Sequence, residues 1–356
     1  MKRFLSVATL SILVFPLATL AQDADTGKDS DLADSSKPLD TITVVGTRTE
    51  RALSEVAATV SVKTAEDLER ELTRDIADLV RFEPGISVGG TGSRFGLGGF
   101  NIRGIGGNRV LTLVDGVRVP EEFSFGPFLS ARRDFVDIDS LNRTEIARGP
   151  ISSLYGSDAL GGVVAFTTKG PRDYLDDDRP FYAGFKGGYS GADDSAVGTL
   201  TLATGNDWVS GMLLYTERDA HETDNTGSVA GTGLSRERPD PQSLNTENLV
   251  AKLSFTPGER HRLTLGVDRF ESNTNTQILS DYGVVSRGTT IDRRDAEDSR
   301  TRTRLSLAYG YAGDIFLADQ VQATLYSQRS ETEQVTSEDR TTPSAAVQSR
   351  SRTSFF

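Results

Sequence analysis

The chain has 356 residues, no cysteine, and 51 acidic against 39 basic side chains, a formal net charge of -12. The missing cysteines exclude disulfide staples and thiolate chemistry, and the acidic balance argues against a nucleic-acid partner. Only two histidines occur, with no nucleophile–base or metal-ligand spacing around them, so the chain does not read as an enzyme.

Lys2 and Arg3 precede an apolar run from Phe4 to Leu20 and a small-residue exit at Thr19 and Ala21, the three parts of a signal peptide. Ser6, Thr9, Ser11 and Pro16 interrupt that run, which argues against a membrane-spanning helix. Residues 1–21 are therefore expected to be a cleaved export signal. Nothing later is apolar for long enough to cross a membrane as a helix, so any crossing would use β-strands. Residues 22–39 scatter aspartates among Ser, Lys and Gly with little to bury, and are expected to be a flexible acidic linker. Asp40 then leads into Thr41, Ile42, Thr43, Val44 and Val45, an abruptly β-branched stretch that favours an extended backbone. Just behind a flexible leader, such a strand suits pairing with a partner.

From Thr64 the pattern is helical: Ala65, Leu68, Leu72, Ile76 and Leu79 share one face, Thr64 and Asp67 form a capping-box start, and Pro84-Gly85 supplies the stop. A single helix is expected between them. The glycine-rich stretch from Gly89 to Gly107 contains neither GxGxxG nor GxxxxGK[ST], so it reads as close backbone packing rather than a phosphate loop. Val110 to Val114 and Val117 to Val119 flank Asp115-Gly116, the chemistry of a type I′ hairpin turn. Asp137 to Ala147 leads into GPISSLYGSDALGGVVAFTTK (149–169), with Val163 to Thr167 as a closing strand. Residues 47–172 are expected to form one mixed α/β domain.

Beyond Pro171 the chain alternates. Leu249, Ala251, Leu253 and Phe255 oppose Val250, Lys252, Ser254 and Thr256; Leu305, Leu307, Tyr309 and Tyr311 oppose Arg304, Ser306, Ala308 and Gly310. Similar segments bring the expectation for 173–356 to roughly eight strands of about ten residues, the length a membrane barrel needs. Tight turns at Gly205-Asn206-Asp207 and Pro257-Gly258-Glu259 alternate with long polar stretches near 218–245, 271–298 and 329–345. That parity places the short turns on the periplasmic side and the long loops outside. Eight strands cannot enclose a domain of over a hundred residues, since plugged lumens belong to barrels of about 22 strands. The strands are thus expected to make about a third of a barrel.

Asp40 to Val45 resembles a TonB box. Ile102-Arg103-Gly104 and Arg148-Gly149-Pro150 resemble paired plug arginine motifs, and Tyr155-Gly156 with Gly161-Gly162-Val163 resembles a closing plug signature. In order and spacing together they resemble the N-terminal portion of TonB-dependent outer-membrane receptors. Glu217-Arg218-Asp219-Ala220-His221-Glu222-Thr223-Asp224-Asn225 adds a likeness to the haem and haemoglobin receptor subfamily. The resemblance implies an α+β plug domain followed by an antiparallel transmembrane β-barrel of the 22-stranded type, incomplete here, in the outer membrane of a Gram-negative bacterium. It implies ligand binding outside, a plugged lumen, and energy from the TonB complex engaging residues 40–46, with outer-membrane lipid around the strands. It also implies that Arg103 and Arg148 pair with barrel-wall glutamates beyond residue 356. Haem, from a haemoglobin-like protein, is then cargo rather than catalytic cofactor, with His221 as iron ligand and Arg236 and Arg238 meeting propionates. A ferric siderophore or cobalamin is the alternative cargo, and a truncated, non-transporting receptor the alternative product. His261, beside a short turn on the opposite side, is not a ligand candidate.

Overall fold

The computed structural model describes residues 42–43, 51–52 and 59–355, except 91–93, 126–128, 133, 177, 259, 316–317 and 344. The expected signal peptide and linker, and Thr41, Val44 and Val45 of the extended segment, lie outside the described residues, all of which belong to the unit Thr41–Phe356.

β1 (Ile42–Thr43) pairs antiparallel with β2 (Arg51–Ala52). β3 (Thr59–Thr64) runs into α1 (Ala65–Arg70), where the expected capping box forms: Thr64 Oγ1 accepts from the Asp67 N–H at 3.2 Å and Asp67 Oδ2 accepts from the Thr64 N–H at 3.0 Å. The helix does not run on to Pro84 as the apolar spacing predicts. Leu72 turns left-handed at φ 51° and is 79% exposed. Asp75 then caps a second helix, α2 (Ile76–Leu79), its Oδ1 accepting from Ala77 and Asp78 N–H groups at 2.8 and 2.7 Å. The cause is local: a side-chain oxygen that caps so well competes with an uninterrupted helix through the same residues.

β4 (Ile86–Gly90) and β5 (Leu97–Ile102) form a hairpin. β6 (Val110–Val114) returns into β7 (Val117–Arg118) through Asp115 and Gly116 at φ 48° and 76°, the left-handed pair a type I′ turn requires. β8 (Phe123–Phe125) pairs with β9 (Leu129–Ala131). β10 (Leu141–Arg148), α3 (Ser152–Tyr155) and β11 (Gly162–Thr168) complete a sheet of order β3-β10-β11-β6-β7. Gly162 in the closing signature has φ 151°, and a Cβ there would stand 2.3 Å from the Ala147 carbonyl oxygen, so glycine is what lets β11 lie against β10. Leu79, Ile102, Val114, Ile146 and Phe166 make the main core on one face; Leu111, Leu113, Ala147 and Val163 fill the other.

The second sheet follows the chain through β12 (Phe181–Ser190), β13 (Ser195–Gly205), β14 (Val209–His221), β15 (Gln242–Phe255) and β16 (His261–Gln277). A short β17 (Val285–Ser286) hangs on β18 (Thr289–Ile315), which is followed by β19 (Ala318–Thr342) and β20 (Ala345–Phe355). Among the described residues the sheet is open, β12 and β20 each having one neighbour. The eight long strands are those expected, but their lengths are not. β18 has 27 residues and β19 has 25, so the loops expected at 271–298 and 329–345 are largely strand. Membrane crossing takes about 9–11 residues per strand, and above that height both faces of a strand meet water. Polar residues on both faces erase the alternation while leaving the backbone ladder intact.

Outward, Leu202, Leu213, Ala251, Val267 and Leu305 stand in register across five strands, with Leu253, Leu265, Leu307 and Leu325 in the next row. Inward, Thr199, Thr216, Asn248, Asp268, Ser272 and Arg302 are buried. Apolar outside and polar inside is the pattern of a sheet that faces lipid. No helix among the described residues is long and apolar enough to cross a membrane, which bears only on helices.

Candidate functional site

The inner face of the long sheet meets the N-terminal α/β domain along a seam of charge. Arg300, Arg302 and Arg304 lie two residues apart on β18, hence on one face, and all three are buried. Arg304 donates to the Val114 carbonyl at 2.5 Å, to Asp115 at 3.0 Å and to Asp268 at 2.9 Å. Arg302 Nη2 reaches both Asp268 oxygens at 2.8 Å, and Arg300 pairs with Asp134 and donates to Ser272 at 3.2 Å. From the other side, Arg94 grips Asp298 with Nε at 2.8 Å and Nη2 at 2.5 Å, and donates to Thr336 at 2.8 Å. Two-pronged guanidinium–carboxylate contacts of this kind fix orientation as well as charge.

The turn chemistry of the 110–118 hairpin positions the key acid. Asp115, at its tip, accepts from the Thr168 N–H at 2.9 Å and hydroxyl at 2.8 Å while facing Arg304 and Lys252. Removal from water pushes its carboxyl up, but Lys252, Arg304 and the Thr168 bonds outweigh that and hold it below its ordinary value. A second acidic station is Asp139, which meets Lys186 of β12 at 2.7 Å and Arg218 of β14 at 3.3 Å. Burial, with the Asp139 charge adding to it, pushes neighbouring Asp137 up to about 6. Apolar contact is small by comparison, chiefly Phe135 edge-on to Phe270 with ring centroids 6.0 Å apart.

Below Arg304 the same face of β18 carries Ser306, Ala308 and Gly310. A cleft of about 1420 Å³ opens there, lined among others by Thr264, Ala308, Gly310, Gln322 and Arg172. His261 is at its rim, Nδ1 2.9 Å from the Tyr309 hydroxyl, at the end of the sheet opposite His221.

The residues singled out in the sequence fall elsewhere. Ile42 and Thr43 form a two-residue ladder with Ala52 and Arg51. Arg148 pairs with Glu83 of its own domain, which also accepts from Ser61 at 2.7 Å. Among the described residues the partner of Arg148 is thus a carboxylate of its own domain, whereas the barrel-wall glutamates expected for it lie beyond residue 356. Arg103 is exposed, left-handed at φ 52°, and in none of the ion pairs among the described residues. His221 ends β14 exposed, its N–H donating to the Asp193 carbonyl at 2.8 Å. Arg236 is not free to meet a ligand: its side chain is 7% exposed and holds Asp240 at 3.3 Å and the Gly231 and Pro239 carbonyls at 2.7 and 2.6 Å. It braces the 222–241 loop, whereas Arg238 is exposed. The residues that do join sheet to domain, Arg94, Asp115, Asp134, Asp139 and Arg300 and Arg304 of β18, were missed. Three arginines at a spacing of two, opposite Leu305 and Leu307, were the available signal.

Residues 52–163 match the family model of the TonB-dependent Receptor Plug Domain. The chain is 34% identical over 279 residues, 75% of its length, to the probable hemoglobin and hemoglobin-haptoglobin-binding protein 4 of Haemophilus influenzae. It is 34% identical over 324 residues, 85% of its length, to hemoglobin-binding protein A of Haemophilus influenzae. It spans 27% and 32% of those two relatives. In fold it is similar to the FrpB iron transporter from Neisseria meningitidis, with a TM-score of 0.61 at 17% identity, over 80% of this chain and 46% of that one.

Proposed function

Because the chain belongs to the TonB-dependent outer-membrane receptors, we propose that it is the plug and first wall of an importer that takes haem from haemoglobin-like proteins. The observation that supports this most is its 34% identity, over 75% and 85% of its length, to two proteins named for haemoglobin binding. Residues 47–172 act as plug and residues 173–356 as wall, with the outward leucine rows against outer-membrane lipid. The importer catalyses no chemical step; work comes from the TonB complex.

TonB engages residues 41–45 by adding its own strand. The present partner of Ile42 and Thr43 is only a two-residue ladder, so exchange for a longer pairing costs little. At the surface, exposed His221 is the haem-iron contact and exposed Arg238 the propionate contact. The test is growth of a haem-requiring Gram-negative strain on haemoglobin as sole haem source. Ile42→Pro, which removes a donor and fixes φ, abolishes growth while leaving surface haemoglobin binding intact, and His221→Ala lowers haemin binding at the surface. Normal growth of a well-expressed Ile42→Pro receptor overturns the TonB role. Failure of the unaltered receptor to support growth overturns haem import.

A further inference from the structure

We propose that the inward arginines of β18 form a track for a carboxylate-bearing ligand, occupied in the resting receptor by plug aspartates that stand in for the ligand's own carboxylates. The proposal rests on the import reading and names the ligand group that the wall recognises during passage.

Two of the three arginines take an acid from the plug. Arg300 pairs with Asp134 and Arg304 with Asp115, the guanidinium side chains being 8% and 3% exposed. Any movement of the plug that withdraws those aspartates strips Arg300 of its one acid among the described residues and leaves Arg304 to share Asp268 with Arg302, which is unfavourable for cations so buried unless another anion replaces the lost ones. Plug movement and ligand arrival are thereby coupled: an anion entering the gap takes over the bonds that the plug gives up.

Arg302, between them, already has an open edge. Its side chain is 3% exposed, its Nη2 serves Asp268, and its Nε and Nη1 have no hydrogen-bond partner among the described residues. A guanidinium presents its donors as a rigid fork that matches a carboxylate. Across the seam, Arg132 of the plug donates to the Leu97 carbonyl at 2.9 Å and its Nε also lacks a partner. Burial lowers Arg132 to about 10, with Asp134 opposing the fall and Arg300 adding to it.

The spacing fits a dianion. Alternate residues on a strand stand about 7 Å apart, so neighbouring arginines of the track can meet two carboxylates borne on one edge of a flat ligand. Below Arg304 the track gives way to Ser306, Ala308 and Gly310 and to the cleft of about 1420 Å³. That space exceeds the roughly 300–1,000 Å³ usual for a small-molecule pocket. A ligand released by Arg304 would thus have room ahead of it.

The test measures uptake of radiolabelled haemin and of its dimethyl ester, which lacks both carboxylates, by the receptor expressed from its own gene in haem-requiring cells. Two double variants, Arg300→Gln with Asp134→Asn and Arg304→Gln with Asp115→Asn, turn each ion pair into a neutral hydrogen-bonding pair, so the plug keeps its seat. Arg302→Gln, whose one hydrogen-bond partner among the described residues is Asp268 of the wall, is the third. The unaltered receptor is expected to take up haemin about tenfold faster than the ester, and the variants to within about twofold, with surface binding of haemin unchanged. Ferric citrate serves as a second carboxylate probe; a fall in its uptake in the same variants assigns the track to a siderophore as well. Variants that keep the tenfold preference, or an unaltered receptor that shows none, overturn the track while leaving import standing. No uptake of either haemin form by the unaltered receptor overturns both readings.

Discussion

Asp268 is the acid whose loss the seam tolerates least. Its side chain is 6% exposed and serves two cations: both oxygens accept from Arg302 at 2.8 Å, and Oδ2 also accepts from Arg304 at 2.9 Å. Asp268→Asn keeps the shape and removes the charge. Arg304 retains Asp115 and the Val114 carbonyl, but Arg302 is left without an acid among the described residues. Stranding a buried charge costs about 3–5 kcal/mol, and the remaining amide oxygen returns about 1 kcal/mol, so the expected loss is about 2–4 kcal/mol. Arg302→Met alone is milder, about 1–2 kcal/mol, because Asp268 keeps Arg304. The double variant removes the stranded charge, so its loss is expected to fall about 2 kcal/mol short of the sum of the single losses. Guanidinium unfolding of the chain in detergent, followed by far-ultraviolet circular dichroism, measures all three. A loss below about 1 kcal/mol in Asp268→Asn, or strict additivity in the double variant, would refute the assignment of Asp268 as the sole counter-charge of Arg302.

Asp137 holds its proton up to about 6 in the folded chain against 3.8 when unfolded, so the folded state binds more protons in that window and stability falls as pH rises through it. Asp137→Asn, which keeps an acceptor for the Ser140 N–H, should flatten that slope and raise stability at pH 7 by up to about 3 kcal/mol; an unchanged slope would refute the assignment to Asp137. Leu72→Gly should raise stability by about 1 kcal/mol, read as a higher unfolding midpoint, because an exposed Leu72 is held at φ 51°, and a lower midpoint would show that its methyls pack. Gly162→Ala should cost more than about 2 kcal/mol through the 2.3 Å approach to the Ala147 carbonyl, and a near-wild-type melt would mean that β10 can yield there.

Features legible in the sequence are those whose cause lies within a few residues. The Thr64–Asp67 box, the Asp115-Gly116 turn and the alternation of Leu249 to Thr256 each carry their mechanism locally, and each is present in the fold. The break at Leu72 was illegible because the apolar spacing continues across it from Leu68 to Ile76; only the capping strength of Asp75 marks the interruption. The upper halves of β18 and β19 read as loop in the sequence because Arg293, Arg329 and Glu331 point into water, where a strand needs no apolar face.

The seam was illegible for a different reason: its partners are remote in the chain, Arg304 and Asp115 being 189 residues apart and Arg94 and Asp298 being 204 apart. Yet its polarity follows a rule that residue types could have suggested. Asp115, Asp134 and Asp139 of the plug face Lys252, Arg304, Arg300, Lys186 and Arg218 of the wall, and Arg94 with Asp298 is the one reversed pair among these contacts. A wall that supplies most of the cations attracts an acidic plug and, equally, an anionic ligand. The plug and the ligand therefore compete for one set of guanidiniums, and a wall built to hold the first is already built to receive the second.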